Sequence, residues 1–260
     1  LFTDKTFQPA PIILEVCAAS LASGIAAQQG GAYRIELCAN LNEGGTTPSP
    51  GTIQSVRKFC TIEIYPIIRP RGGDFLYDEG ELEVMTRDIL FCKNAGCDGI
   101  VMGILHADGQ VDKDQVSRLV ELAWPMGVTF HRAFDMTADP NQALTDILDT
   151  GCERILTSGQ QPTALEGAPL IADLIRQAAG RIIIMPGSGI REHNIAALVR
   201  ETGATEFHTS ARITLAGRMN FKNPLIALGN DGKEYELSVT DARQVGLIRT
   251  AAETALNTKG

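Results

Sequence analysis

One pattern restricts this chain more than any other. Eight short apolar runs rich in β-branched residues alternate with longer segments of helical period. The runs are PIILEV, YRIEL, IEIYPIIR, GIVMG, VTFHR, RILTS, RIIIMPG and TEFHTS. Between them lie segments such as LASGIAAQQGG, TIQSVRKF, EGELEVMTRDILFCKNAG, DKDQVSRLVELA, DPNQALTDILDTG and HNIAALVRETG, and VTDARQVGLIRTAAETAL follows the last run. A helix between successive strands returns the chain to the end it started from, so the strands run parallel. Asp112 and the Asp139-Pro140 pair read as helix starts, and Gly31, Gly96, Gly151 and Gly203 as helix ends. Eight such units in 260 residues predict an α/β fold, a (β/α)8 TIM barrel in a single domain. An open doubly wound sheet is the runner-up. Its first βα turn would be VCAASLASG, which lacks the dinucleotide fingerprint. Residues 1–11 read as an N-terminal tail and 12–260 as the barrel domain. The stretch 212–238 reads as a long loop after strand eight, lying at the mouth as a lid or a subunit contact, or else as a peripheral excursion with no such role.

The formal charge of -8 argues against a nucleic-acid partner, which needs a basic face. No apolar run reaches the roughly 18 residues of a membrane span. The segment LFTDKTFQPAPIILEV has no basic region followed by an apolar one, so no signal peptide is expected. Six cysteines occur without a CxxC pair, which fits reduced thiols in the cytoplasm better than a disulfide scaffold or a zinc finger. Cys60, Cys92, Cys97 and Cys152 read as small buried hydrophobes.

Alternate strand residues point into a barrel, and the C-terminal strand ends line its active face. On the inward parity strand one carries Glu15 and Cys17, and strand two Arg34, Glu36 and Cys38. Strand three continues to Arg69 and Arg71, strand five to Thr129 and His131, and strand eight to Glu206, His208 and Ser210. Val128 and Phe130 face the helices, Asp135 opens the loop after strand five, and Arg132 pairs with Asp135 or an outer helix. Polar residues recurring on one parity imply either a functional mouth or a plug satisfied by internal ion pairs. Glu15 and Glu36 are candidates for an acid/base pair or for neutralising Arg69 and Arg71, and His131 is suited to proton transfer. The turns after strands six to eight are rich in glycine and serine. Ser158, Gly159, Gly187, Ser188, Gly189 and Ser210 are therefore candidates to hold phosphate or another small anionic ligand. Cys17 and Cys38 repeat on neighbouring strands in EVC and ELC, where two thiolates would suit copper(I) or simply line the barrel as reduced thiols.

The segments LEVCAAS, YRIELCANLNEGGTTPSPG, IIRPRGGDFLY, VTFHRAFDM, ILTSG and EFHTSA, in this order from about Leu14 to Ala211, resemble the copper homeostasis protein CutC family. The resemblance implies a TIM barrel, a cytoplasmic role in copper handling, copper(I) ligation by Cys17 and Cys38, and a homo-oligomer, dimer or tetramer. The 212–238 loop looks longer than in compact bacterial members. The Gly187-Ser188-Gly189 turn replaces their usual Gly-Gly-Gly or Gly-Ala-Gly, a change expected to be harmless.

Copper ligation needs two cysteines, not the ionisable groups around them. That excess supports a second expectation, an enzyme using acid/base chemistry on a small anionic or phosphorylated metabolite. Arg69 and Arg71 would hold the anion or a developing oxyanion, and His131, Glu15 or Glu36 would move the proton. A third expectation is a divalent-metal-dependent hydrolase with Glu15, Glu36 and His131 or His208 as ligands, though no HExxH-type spacing occurs.

Overall fold

The computed structural model of the chain describes residues 12–223, 225–226 and 234–258. The predicted tail lies outside the described residues, as does part of the 212–238 stretch. The strands are β1 (Ile13–Ala18), β2 (Arg34–Leu37), β3 (Glu63–Pro66), β4 (Gly99–Met102), β5 (Gly127–Phe130), β6 (Arg154–Thr157), β7 (Ile183–Pro186) and β8 (Glu206–Thr209). The helices between them are α1 (Leu21–Gln29), α2 (Pro50–Phe59), α3 (Glu79–Asn94), α4 (Lys113–Ala123), α5 (Pro140–Leu148), α6 (Ala168–Ala178) and α7 (Glu192–Thr202), with α8 (Ala242–Asn257) last. Asp112 caps α4 by accepting from Gln115 N, and Asp139 caps α5 ahead of Pro140. The helix α6 lacks such a capping side chain, because its N-cap is Gly167, and carries only Pro169 in its first turn.

The parallel strands form two four-stranded sheets, ordered β3-β2-β1-β8 and β4-β5-β6-β7. The sheets join where Ile67 bridges Val101 and Ile68 N donates to Val101 O. At the other join β7 and β8 lie side by side without a ladder among the described residues. Outward strand residues such as Leu14, Val16, Ile35, Leu37 and Phe130 are buried with helix residues in one large core. Each such side chain stabilises the fold by roughly 1.5–3 kcal/mol on burial. A smaller cluster of Cys17, Cys38, Tyr65, Ile67 and Val101 fills the barrel interior.

The lower interior is ionic. Glu206 Oε2 accepts from Arg34 Nη1 at 3.2 Å and from Arg154 Nε at 2.7 Å, and Arg34 Nη1 also donates to Glu15. The Tyr65 ring lies between the two guanidinium groups, 4.9 Å from Arg34 and 5.8 Å from Arg154. Its room comes from Gly99, where any Cβ would fall 2.2 Å from the ring. The plug expected as one alternative therefore exists, one level below the mouth.

The 212–238 stretch is not irregular throughout. It begins as β9 (Arg212–Ala216), which pairs antiparallel with β10 (Glu236–Thr240). This ribbon returns to the barrel through Asp241 N to Ala211 O and Thr240 N to Ser23 Oγ.

Candidate functional site

The mouth of the barrel is a cavity of about 960 Å³ whose walls include Cys17, Glu36, Arg69, Phe75, His131, Ser188, Arg191, His208 and Arg212. At its floor, the stagger of β1 against β2 decides which side chains meet. Glu15 pairs with Arg34 and Cys17 with Glu36, so the two Glu-x-Cys motifs are offset by one inward position. Cys17 then reaches diagonally to Cys38, with the sulfurs 3.7 Å apart. Cys17, Glu36 and Cys38 form the only group of three or more potential ligands found among the described residues, their ligand atoms all within 4.8 Å of one another.

His208 bridges the two glutamates. Its Nδ1 is 2.8 Å from Glu15 Oε1 and its Nε2 is 3.6 Å from Glu36 Oε2. Burial alone would raise the Glu15 carboxyl. The His208 hydrogen bond and charge, with Arg34 and Arg154, outweigh it and bring the pKa down to about 2. For Glu36 burial first, then the charge of the Cys17 thiolate, outweigh the His208 charge and lift it to about 8. The Cys17 thiol is held well below its usual value, by the hydrogen bond from Cys38 against burial, and then by His208. Cys38 is pushed up correspondingly by that same bond and by burial. Burial opposes a charge on His208, but Glu36, Cys17 and Glu15 together raise it well above the ordinary value. These shifts favour a thiolate at Cys17 over one at Cys38, an imidazolium at His208 and a carboxylate at Glu15.

Other expected site residues take different places. Arg71 leaves the mouth and pairs with Glu81 and Asp74 on the outside. Arg69 stays buried, but its guanidinium clamps carbonyls rather than Glu15 or Glu36: Nη1 donates to Glu43 O and Gly45 O, and Nη2 to Gly73 O. His131 caps the short 3-10 helix Arg132–Met136, with Nδ1 accepting from Ala133 N at 3.2 Å. Glu15 and the histidines do not form a hard-metal ligand set. Arg34 and His208 occupy Glu15, and His131 is not grouped with either glutamate.

Asp135 is fully engaged. It accepts from Thr157 Oγ1, Ser158 N, Ser158 Oγ, Gln160 N and Arg132 Nε. It therefore ties the turn after β6 to the turn after β5, and Arg132 is its partner. The same bonds remove Ser158 from the anion candidates. Gly159 N donates to Thr157 Oγ1, and the glycine is needed where its Cα passes the backbone of Gly167. Gly187 N is held by Thr157 O. Replacing Asp135 with alanine leaves several buried donors without acceptors, and we expect a loss of about 2–3 kcal/mol in urea denaturation. A loss below about 0.5 kcal/mol, the range of ordinary surface changes, would contradict this account.

The turn after β7 keeps free donors. Ser188 and Gly189 both have positive φ, +84° and +70°. At Ser188 this is a costly conformation for a side-chain-bearing residue, so the exchange for glycine is not neutral to the backbone. Its hydroxyl compensates by donating to Pro162 O at 2.8 Å. Arg191 and Arg212, which the reading of strand ends passed over, also reach the cavity. Their positions just after GSGI and just after HTSA were the available signal.

No helix among the described residues is long and apolar enough to cross a membrane. All six cysteines are free and buried.

Known proteins carry the same arrangement of sequence. A CutC protein of Chromobacterium violaceum is 50% identical over 244 residues, covering 94% of this chain and 99% of that protein. The copper homeostasis protein cutC homolog of Homo sapiens is 49% identical over 246 residues, covering 94% of this chain and 90% of its own length. The crystal structure of a CutC from Streptococcus agalactiae superposes with a TM-score of 0.73 at 32% identity, over 76% of this chain and 98% of that one. The model of the CutC family matches residues 12–213, and the chain belongs to that family.

Proposed function

We propose that this protein binds copper(I) through Cys17 and Cys38 at the floor of the barrel mouth, as part of copper homeostasis in the cytoplasm. The observation that carries this reading is the pair of sulfurs 3.7 Å apart. That separation is less than two metal–sulfur bonds of about 2.3 Å, so both can reach one ion without backbone movement. The donor set is chemically suited to it. Two sulfurs favour a soft monovalent ion. The neighbouring oxygen donor, Glu36, is largely protonated at neutral pH and competes poorly for a hard cation. His208 and the Cys38 thiol stabilise the Cys17 thiolate before any metal arrives. Free, closely spaced thiols suit a reducing compartment. The exposed apolar side chains Leu215, Met219, Phe221, Leu225, Ile226 and Leu237 in and around the ribbon support a homo-oligomer built on that excursion.

Anaerobic titration with cuprous ion against a competing chelator tests the reading. One equivalent binds tightly, and Cys17→Ser combined with Cys38→Ser weakens binding by at least ~100-fold, about 2.7 kcal/mol. Affinity unchanged in the double variant would refute it.

A further inference from the structure

The thiol floor leaves a second set of groups in the cavity unused. His131 is only 4% exposed, and its Nδ1 accepts the Ala133 N–H, so the ring proton sits on Nε2. That Nε2 is buried with no partner among the described residues, although His131 lines the cavity. The ring is held in place by Phe75, 5.0 Å away, which in turn lies under the Arg69 guanidinium at 5.0 Å. A buried N–H without an acceptor is costly, and a ligand oxygen would remove the cost.

Further round the same rim, the backbone N–H groups of Ser188, Gly189 and Ser210 donate to no group among the described residues. Ser188 and Gly189 lie just before α7, where a helix start favours negative charge, and Ser210 lies just after β8. Arg191 and Arg212 flank them, and neither has a carboxylate within ion-pair distance among the described residues. Four carboxylates also line the cavity, and three are occupied. Asp74 is paired with Arg71, Asp135 with Arg132, and Glu36 lies against His208. Glu43 alone remains to oppose Arg69, Arg191 and Arg212. The upper mouth is therefore a cationic pocket, with several donors and few acceptors, in a chain whose net charge is -8.

We infer that this upper mouth binds a small phosphorylated metabolite, with its phosphate on the Ser188–Gly189 turn between Arg191 and Arg212, and an oxygen of its carbon skeleton on His131 Nε2. Three N–H groups and two guanidinium groups match the several acceptor oxygens of a phosphate ester. The cavity has the size of a metabolite site. Burial, with Arg69 beside it, keeps the His131 imidazole neutral, which suits a donor to an uncharged oxygen. The site lies above the thiols and does not use them.

Calorimetric titration of the metal-free protein with glycerol 3-phosphate and with inorganic phosphate, at constant ionic strength in chloride, tests the inference. Both bind saturably with dissociation constants below about 1 mM. Arg191→Gln with Arg212→Gln weakens both by at least about tenfold. His131→Asn keeps a side-chain acceptor for Ala133 N. It weakens glycerol 3-phosphate by about tenfold and leaves inorganic phosphate within about twofold. Cys17→Ser with Cys38→Ser leaves both affinities intact, so this test and the cuprous titration fail independently. Absence of saturable binding by either probe, or undiminished binding in the double arginine variant, overturns the site. An unchanged ester affinity in His131→Asn overturns the role of His131.

Discussion

Replacing Glu206 with leucine is expected to lower the stability of the fold by about 3–5 kcal/mol. Below the mouth, Arg34 and Arg154 balance Glu15 and Glu206 in a space closed to water, all four side chains being 6% exposed or less. Glu206 is the member shared by both arginines. Without it Arg34 keeps Glu15 and the half-exposed Glu63, and Arg154 keeps the partly exposed Glu153 just before β6. One buried positive charge is then uncompensated, and that dominates over the apolar area that leucine adds. The control is Glu63→Leu. Glu63 is 34% exposed and sits outside the closed layer, so its loss should cost no more than about 1 kcal/mol. Urea denaturation of both variants, with the slope checked for two-state behaviour, measures the difference. Equal small losses would mean that the layer is better hydrated than its burial indicates.

The second large effect is the loss in acid, starting near pH 6.5, of the stability that His131 contributes. His131 is held down to about pKa 3, by burial and then by the Arg69 charge, whereas in the unfolded chain it titrates near 6.5. Between those values the unfolded state binds a proton that the folded state refuses. The His131 contribution is therefore complete above 6.5 and is lost as the pH drops towards 3, by about 1.4 kcal/mol per pH unit and at most about 5 kcal/mol in all. Glu15 adds the same sign lower down. Its pKa of about 2 against 4.5 gives a contribution that is present above 4.5 and lost as the pH falls towards 2. Glu36, raised to about 8 against 4.5, has the opposite sign and opposes the His131 slope between pH 6.5 and 4.5, so the His131 contribution is read as the difference in stability between the wild type and His131→Asn. That difference should shrink as the pH falls from 6.5 towards 3. A difference that does not change between pH 6.5 and 4.5 would contradict the buried neutral imidazole.

The barrel was legible because its signal is repeated. Each strand and nearly every helix carries its own period and cap, so an error in one unit does not change the whole. The helix α6 shows the limit: with glycine at the N-cap and no Ser or Asp, Pro169 in its first turn is the one start signal it carries. Side-chain parity also correctly placed Glu15, Cys17, Glu36, His131 and His208 on the inner wall. Parity does not fix height, and height decided the chemistry. Glu15 sits with Arg34 in the ionic layer, while Glu36, on the neighbouring strand, meets a sulfur. Arg71 shared the parity of Arg69 only while the strand was taken to continue. The strand ends at Pro66, and beyond it the chain bends and Arg71 faces Glu81. Asp135 and Ser158 had the residue types of a catalytic loop. Their mutual bonds, across 23 residues of sequence, come from tertiary contact alone.

The order of the first sheet sets a schedule for the growing chain. β1 lies between β2 and β8, so the strand carrying Cys17 keeps one unpaired edge until residues 206–209 have been synthesised. The thiols leave the ribosome long before they are enclosed, because the Glu15–His208 pairing that seals them spans 193 residues. During that interval the two sulfurs are more exposed to oxidants and to competing metals than in the finished barrel. A cell making this protein must keep its nascent cysteines reduced for longer than the burial of the mature site would suggest.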